Sequence, residues 1–498
     1  MASALLGNST YRSRAFLILG LLLSGYLQWD AVWGDYANGW DAYFYLVQVK
    51  SWLETGQMHS PEWSVFYPFL AVIYYLTDSY ETAYQLLSIL AKLALLYLVW
   101  DWLQAWSPKK EHLFGVWAFL VWSPSLTYVF AQYPKNGLGF VCLFLFMRYW
   151  RKEKVVFTML FFLLTLFSHR LAAGLVLIGL TLWGVERGPQ KVGDNCLSLR
   201  RLSPWITLSL GILLLSLFSG LLHWSDWERL HQFWQTNPRW IPYGVGHYFS
   251  SSFPLSNWWW LEIGLHSILL LFLGLSFFRM GIKSWVHGFV LLVCGMAVWP
   301  FWILDTGSIG LRLALWLPVF SVLALGPWVQ RIPGSLSIVL GGLFFVLSLF
   351  TGPAYQKSLF EPSYHSYARL GGLAESWFSQ QIPEKFPELI IAPKGIAEYW
   401  TFRFGWDVMP WLPEYTVPSE RLYRLGRGPW GNDLNYYLPA GTVHRLGTQT
   451  FLLLEKDWQT FLRSLQETGE EELLLQIDHW QNPAAIRPEY LLRRQRNR

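Results

Sequence analysis

Two aspartates open the part of the chain with the most chemistry. Asp35 and Asp41 stand six residues apart at the head of GDYANGWDAYFYLVQVKSWLETGQMHSPEWSVFYPF, residues 34–69. A carboxylate placed there can deprotonate or orient a nucleophile. Asp41 is the first candidate and Asp35 the second. Asp41 also stands where the N-cap of a helix over 42–54 would fall, which is its ordinary structural alternative. That helix is read from Tyr45, Val49 and Trp52 at 3–4 spacing and a stop at Gly56. Asp35, Asp41 and Glu54 together could offer hard oxygen ligands to Mg2+ or Mn2+. The second outer loop carries no DxD or ExD pair, so no required metal is expected.

Cations are scarce near these acids, which makes each one worth weighing. Lys135 lies in AQYPKNG, and His169 and Arg170 lie in SHRLAAG. Arg312 lies in LDTGSIGLRLALWLP, and Arg239 in NPRWIPYG. Arginine and lysine gathered on one face can hold a phosphate or pyrophosphate. The competing use is snorkelling to lipid headgroups. His169 could equally be a hydrogen-bonded turn residue.

The elements that position these residues follow from composition. The chain has 498 residues, 53% hydrophobic, 18% aromatic and 14% charged. Soluble domains run near 25% charged, so this chain cannot coat two or three soluble domains with charge. Its 32 Trp and 25 Tyr suit a membrane–water interface. A net charge of +5 offers no concentrated basic face, so nucleic acid is not an expected partner. Apolar runs long enough to cross a bilayer, or nearly so, fall at roughly 15–33, 84–105, 113–131, 137–150, 155–168, 171–186, 204–222, 258–278, 285–304, 311–329 and 335–352. The expected fold is therefore an α-helical polytopic membrane protein of about eleven transmembrane helices. The run FYPFLAVIYYL (66–76) is too short to cross and reads as re-entrant or interfacial.

With the N-terminus in the cytoplasm, 15 basic residues, Arg12 and Arg151 among them, fall in inner loops and 6 in outer ones. An odd span count then puts the tail, 353–498, outside the cytoplasm. An error of one span would make it a cytoplasmic tail instead. The tail holds 16 Lys and Arg against 17 Asp and Glu and reads as a soluble α/β domain. LIIAPKG (389–395) and TFLLLEKD (450–457) read as strands, and 458–474 as helix. Two domains are thus expected, 1–352 in the membrane with its first outer loop at 34–65, and 353–498. Cys142, Cys196 and Cys294 offer neither a disulfide framework nor a zinc site.

A first span, an outer loop with an Asp before an aromatic-rich helix, then "YP" and a short apolar helix resembles the GT-C superfamily of membrane glycosyltransferases. WDAYFYL is similar to the D-x-Y-Y/F segment of oligosaccharyltransferase catalytic subunits. FYPFLAVIYYL resembles the "hPPL" helix of the protein O-mannosyltransferase and aminoarabinose transferase branch. The loop has no adjacent Asp-Glu pair, and GWDVMPW (405–411) echoes a WWD motif only in part, so no sub-family is assigned. The resemblance implies a GT-C-like membrane domain over 1–352. It implies transfer of a sugar from a polyprenyl-phosphate-linked donor to a protein, lipid or glycan acceptor. The reaction would run on the extracytoplasmic face of a bacterial-type plasma membrane. Asp41 would be base or acceptor-orienting carboxylate, and Arg312, Arg170, Lys135, His169 and Arg239 would face the donor phosphate. Two other readings stay open, an O-antigen polymerase or ligase and a lipid-linked sugar transporter or flippase.

Overall fold

A computed structural model describes residues 9–37, 41–59, 64–107, 109–187, 261–262, 264–265, 315–355, 390–393, 398–399, 401–403, 408–411, 441–446 and 449–454. The helices are α1 (Ser9–Val32), α2 (Ala42–Thr55), α3 (Phe66–Thr77), α4 (Tyr80–Gln104), α5 (Phe114–Trp122) and α6 (Pro124–Gln132). They continue with α7 (Pro134–Arg151), α8 (Val155–Ser168), α9 (Arg170–Arg187), α10 (Leu317–Leu325) and α11 (Gly334–Tyr355). The chain divides into two compact units. One holds Met1–Ala31, Glu62–Phe66 and Leu87–Leu359; the other holds Val32–Pro61, Tyr67–Leu86 and Phe360–Arg498.

In the first unit, apolar side chains point outward as well as inward. Ile18, Leu19 and Leu22 of α1 and Val339, Leu343 and Phe350 of α11 are exposed. Water does not tolerate patches of that kind, and lipid does. Within α1 and α4, Ser13–Val32 and Tyr80–Gln104 are long and apolar enough to cross a bilayer. Glu111–Trp122 and Pro124–Gln132 pass together as one span bent by 48°. This is a membrane protein.

The bend has a local cause. Pro124 has no N–H to give the preceding turn, so it starts a new helix, and Ser123 caps it by accepting from Leu126 N–H at 3.2 Å. The other expected spans are shorter or lie outside the described residues. α8 has 14 residues and reaches only about 21 Å, against the roughly 30 Å of hydrocarbon. The runs 204–222 and 285–304 lie outside the described residues, as does most of 258–278. The core is aromatic. Trp316 stacks on Phe140 with centroids 3.7 Å apart and meets Phe130 edge-on. Trp117 is buried and donates from Nε1 to the Leu96 carbonyl at 2.9 Å.

In the second unit, α2 forms as its spacing predicts. Tyr45, Leu46 and Val49 are buried, and Gly56 ends the helix in the left-handed region at φ 72°, its N–H on the Trp52 carbonyl. α3 has 12 residues, about 18 Å of helix, and leaves Phe69, Val72, Tyr75 and Leu76 exposed. Both strands expected in the tail are present, with two more. β1 (Ile390–Pro393), β2 (Val408–Trp411), β3 (Gly441–Leu446) and β4 (Gln449–Leu454) form one sheet in the order β2-β1-β4-β3. β1 and β2 run parallel, Ile390 opposite Val408, which requires a crossover. The connection carries helical residues at 398–399 and 401–403. β3 and β4 pair antiparallel, Val443 opposite Leu452. The helix expected at 458–474 lies outside the described residues.

Candidate functional site

The chain at 34–37, which carries Asp35, is held in place from two sides. Gln85 of α4 donates from Nε2 to the carbonyls of Gly34 (2.7 Å) and Tyr36 (3.0 Å). The Tyr43 hydroxyl accepts from Ala37 N–H at 3.2 Å. With its neighbours' carbonyls fixed, Asp35 presents an exposed carboxylate. Asp41 is the N-cap residue of α2 by position, its carbonyl accepting from Tyr45 N–H at 3.1 Å. Its side chain does not make the capping hydrogen bond. The structural alternative for Asp41 therefore fails in its usual form, and the half-buried carboxylate is not spent on capping the helix.

The metal trio considered from sequence does not form. Among the described residues no three His, Cys, Asp or Glu side chains are grouped to hold an ion. The reason is helical geometry. Asp41 heads α2 and exposed Glu54 is its penultimate residue, so about 20 Å of helix separates them.

Among the described basic candidates, Lys135 and the His169–Arg170 turn both lie in the first unit. Lys135 lies in the first turn of α7 rather than in a loop, and it is 6% exposed. One turn on, Gly139 packs against the turn that ends α8. A Cβ there would lie 2.9 Å from His169 Cβ and 3.1 Å from Ser168 Oγ. Lys135 and Gly139 share a face of α7 at i, i+4, about 6 Å apart along the axis, so Lys135 flanks the same turn. The end of the first loop joins it as well. Val65 N–H donates to the Phe167 carbonyl at 3.0 Å, and Ser64 Oγ to the Ser168 carbonyl at 2.8 Å.

His169 itself starts α9. Its Nδ1 accepts from Leu171 N–H at 3.2 Å and its carbonyl accepts from Ala173 N–H at 3.0 Å. The hydrogen-bonded turn alternative is thus realised at Nδ1. Arg170 is the first residue of α9. Arg312 and Arg239 lie outside the described residues.

No known protein family and no curated protein matches the sequence. Among solved structures the chain is similar to the oligosaccharyltransferase of Archaeoglobus fulgidus in complex with zinc and sulfate, at 11% identity and a TM-score of 0.47. That match covers 79% of this chain and 62% of the other. A second is the same organism's oligosaccharyltransferase AglB with an inhibitory peptide and a dolichol-phosphate, at 12% identity and a TM-score of 0.38, over 80% of this chain and 64% of that one. The chain spans less than two thirds of either protein's length. Neither likeness assigns a family or an activity.

The sequence pattern marks one further residue only as an outer-loop cation. Lys50, at the middle of α2, donates from Nζ to the Phe402 carbonyl at 2.8 Å and lies 5.1 Å from the Phe402 ring. Around that contact Tyr43 meets Tyr399 edge-on at 4.9 Å and Phe402 at 5.4 Å, and Tyr80 meets Phe402 edge-on at 5.6 Å. Lys50 follows Tyr43 by two helical turns on one face, which is the signal the sequence holds; the partner in the tail leaves none.

Proposed function

We propose that the chain is a GT-C-type membrane glycosyltransferase, with Asp41 as the base or acceptor-orienting carboxylate. The observation that carries this reading is that Asp41 stands at the head of α2 without capping it. A carboxylate at a helix start that does not cap the helix can serve a hydroxyl or amide nucleophile. The donor in this reading is a sugar on a polyprenyl phosphate or diphosphate. Lys135, His169 and Arg170 are carried from the sequence as cationic and hydrogen-bonding groups for the departing phosphate. Arg312 and Arg239 are carried into the same role from the sequence alone, and Asp35 is the second acid.

The domain reading is a membrane domain over 1–352 and a tail over 353–498 on the extracytoplasmic side. The Lys50–Phe402 contact supports placing loop and tail on one side of the bilayer, which agrees with an odd number of crossings. Acceptor class, protein, lipid or glycan, would be selected by the tail. No metal is required by this scheme.

The experiment is transfer from a radiolabelled polyprenyl-phosphate sugar by the full chain in nanodiscs, with an extract of envelope acceptors. Label in an acceptor fraction that disappears with Asp41→Asn supports the reading. Unaltered transfer by Asp41→Asn removes Asp41 from the chemistry.

A second reading, a lipid-linked sugar flippase, gains from the broken span at Ser123–Pro124, because transporters use discontinuous helices at their sites. It predicts that labelled donor changes leaflet with its sugar still attached.

A further inference from the structure

Two fully buried charged side chains in the first unit meet one break in a helix. Lys92 of α4 and Glu262 are each 0% exposed. Lys92 Nζ donates to Thr127 Oγ1 at 2.8 Å, and Thr127 Oγ1 donates to the Ser123 carbonyl at 3.2 Å. Ser123 Oγ donates to Glu262 Oε1 at 2.5 Å. Ser125 gives Oε2 two donors, its N–H at 3.0 Å and its Oγ at 2.8 Å. Gln28 of α1 joins the cluster, donating to Ser88 Oγ at 3.1 Å and to the Thr127 carbonyl at 3.4 Å. Ser88 Oγ in turn donates to the Phe130 carbonyl at 2.6 Å.

The carboxylate sits where the local chemistry calls for an anion. The bend between α5 and α6 leaves the first N–H groups of α6 without helical acceptors. Pro124 contributes none, so Ser125 N–H is the first that α6 can offer, and Glu262 takes it. The positive end of α6 adds to the attraction.

Energy alone does not explain keeping two ions here. Stripping water from each costs several kcal/mol, and an apolar pair of the same volume packs as well or better. What an apolar pair lacks is direction. Glu262 is satisfied only when the helical residues around it, 261–262 and 264–265, sit at one height against the break. Lys92 supplies the countercharge through Thr127, one turn beyond Ser123 on the same helix.

We propose that Lys92 and Glu262 act as one intramembrane charge pair, which fixes the bend at Ser123–Pro124 and the registry of the Glu262 segment against it. The pair uses none of the residues proposed for sugar transfer, and its test uses no turnover.

The test is thermal unfolding of the full chain in nanodiscs for Lys92→Met, Glu262→Gln and the double variant. Each single substitution leaves one buried charge uncompensated and should lower the unfolding midpoint by about 5 °C or more. The double variant should regain at least half of the summed loss, because no charge is stranded. If the singles yield no folded protein, a folded and monodisperse double variant supports the proposal equally well. Additive losses overturn the proposal, as do unchanged midpoints in both singles. A double variant that fails to fold also overturns it, since the loss would then not come from a stranded charge.

Discussion

The Nζ of Lys50 donates to the carbonyl of Phe402 at 2.8 Å, joining the first loop to the tail across 352 positions of sequence. A backbone acceptor cannot be mutated away, but its donor can. Lys50→Met keeps the apolar stem and removes a charged hydrogen bond and a cation–π contact, a loss of about 2 kcal/mol of docking. Limited proteolysis should then cut the tail faster, with no change in the cleavage pattern of the rest. An unchanged rate would mean the contact contributes nothing.

The proposed sidedness can be tested at the same contact. Cysteines placed at Gln57 and at Thr401 should react with the same membrane-impermeant reagent from the same side of sealed vesicles. Labelling of one from outside and of the other only after lysis would exclude a tail on the loop's side.

Asp41 gives a prediction in which stability and activity separate. A capping aspartate replaced by alanine costs about 1 kcal/mol. The Asp41 side chain does not cap α2, so Asp41→Ala should leave the hydrogen-exchange protection of the first turn of α2 unchanged. Faster exchange confined to that turn would return Asp41 to a capping role.

His169 and Gly139 test the basic turn. His169→Asn keeps a capping side chain at the head of α9, whereas His169→Ala does not, so only the alanine variant should lose about 1 kcal/mol of stability. Equal losses from both would mean that Nδ1 is not the stabilising group. At Gly139 a methyl would stand 2.9 Å from His169 Cβ, and Gly139→Ala should cost about 1–3 kcal/mol by forcing the α8–α9 turn away from α7. Wild-type stability in a melting assay would show that the turn can move without cost.

Periodicity makes the helices legible: α2 with its Gly56 stop, the short α3, the long α1 and α4, and the two apolar strands of the tail are all in the pattern of residues. The break at Ser123–Pro124 is visible as a proline, yet an apolar run of sufficient length conceals it. The sequence shows Lys92 without its depth and hides Glu262 inside an apolar run, because a hydropathy pattern counts a charge but does not pair it. Asp41 is legible as a candidate, but only side-chain geometry separates a capping carboxylate from one that does not cap. The approach of α7 to the His169 turn depends on Gly139, whose role is a close approach between helices and leaves no periodic trace.

Whether Asp41 performs chemistry at the head of α2 is decided by the rate of sugar release from a labelled polyprenyl-phosphate donor in the presence of acceptor extract. Wild type and Asp41→Asn are compared after matching their unfolding temperatures. A fall of at least about 100-fold with donor binding retained is the predicted result. Equal rates in the two proteins would contradict it.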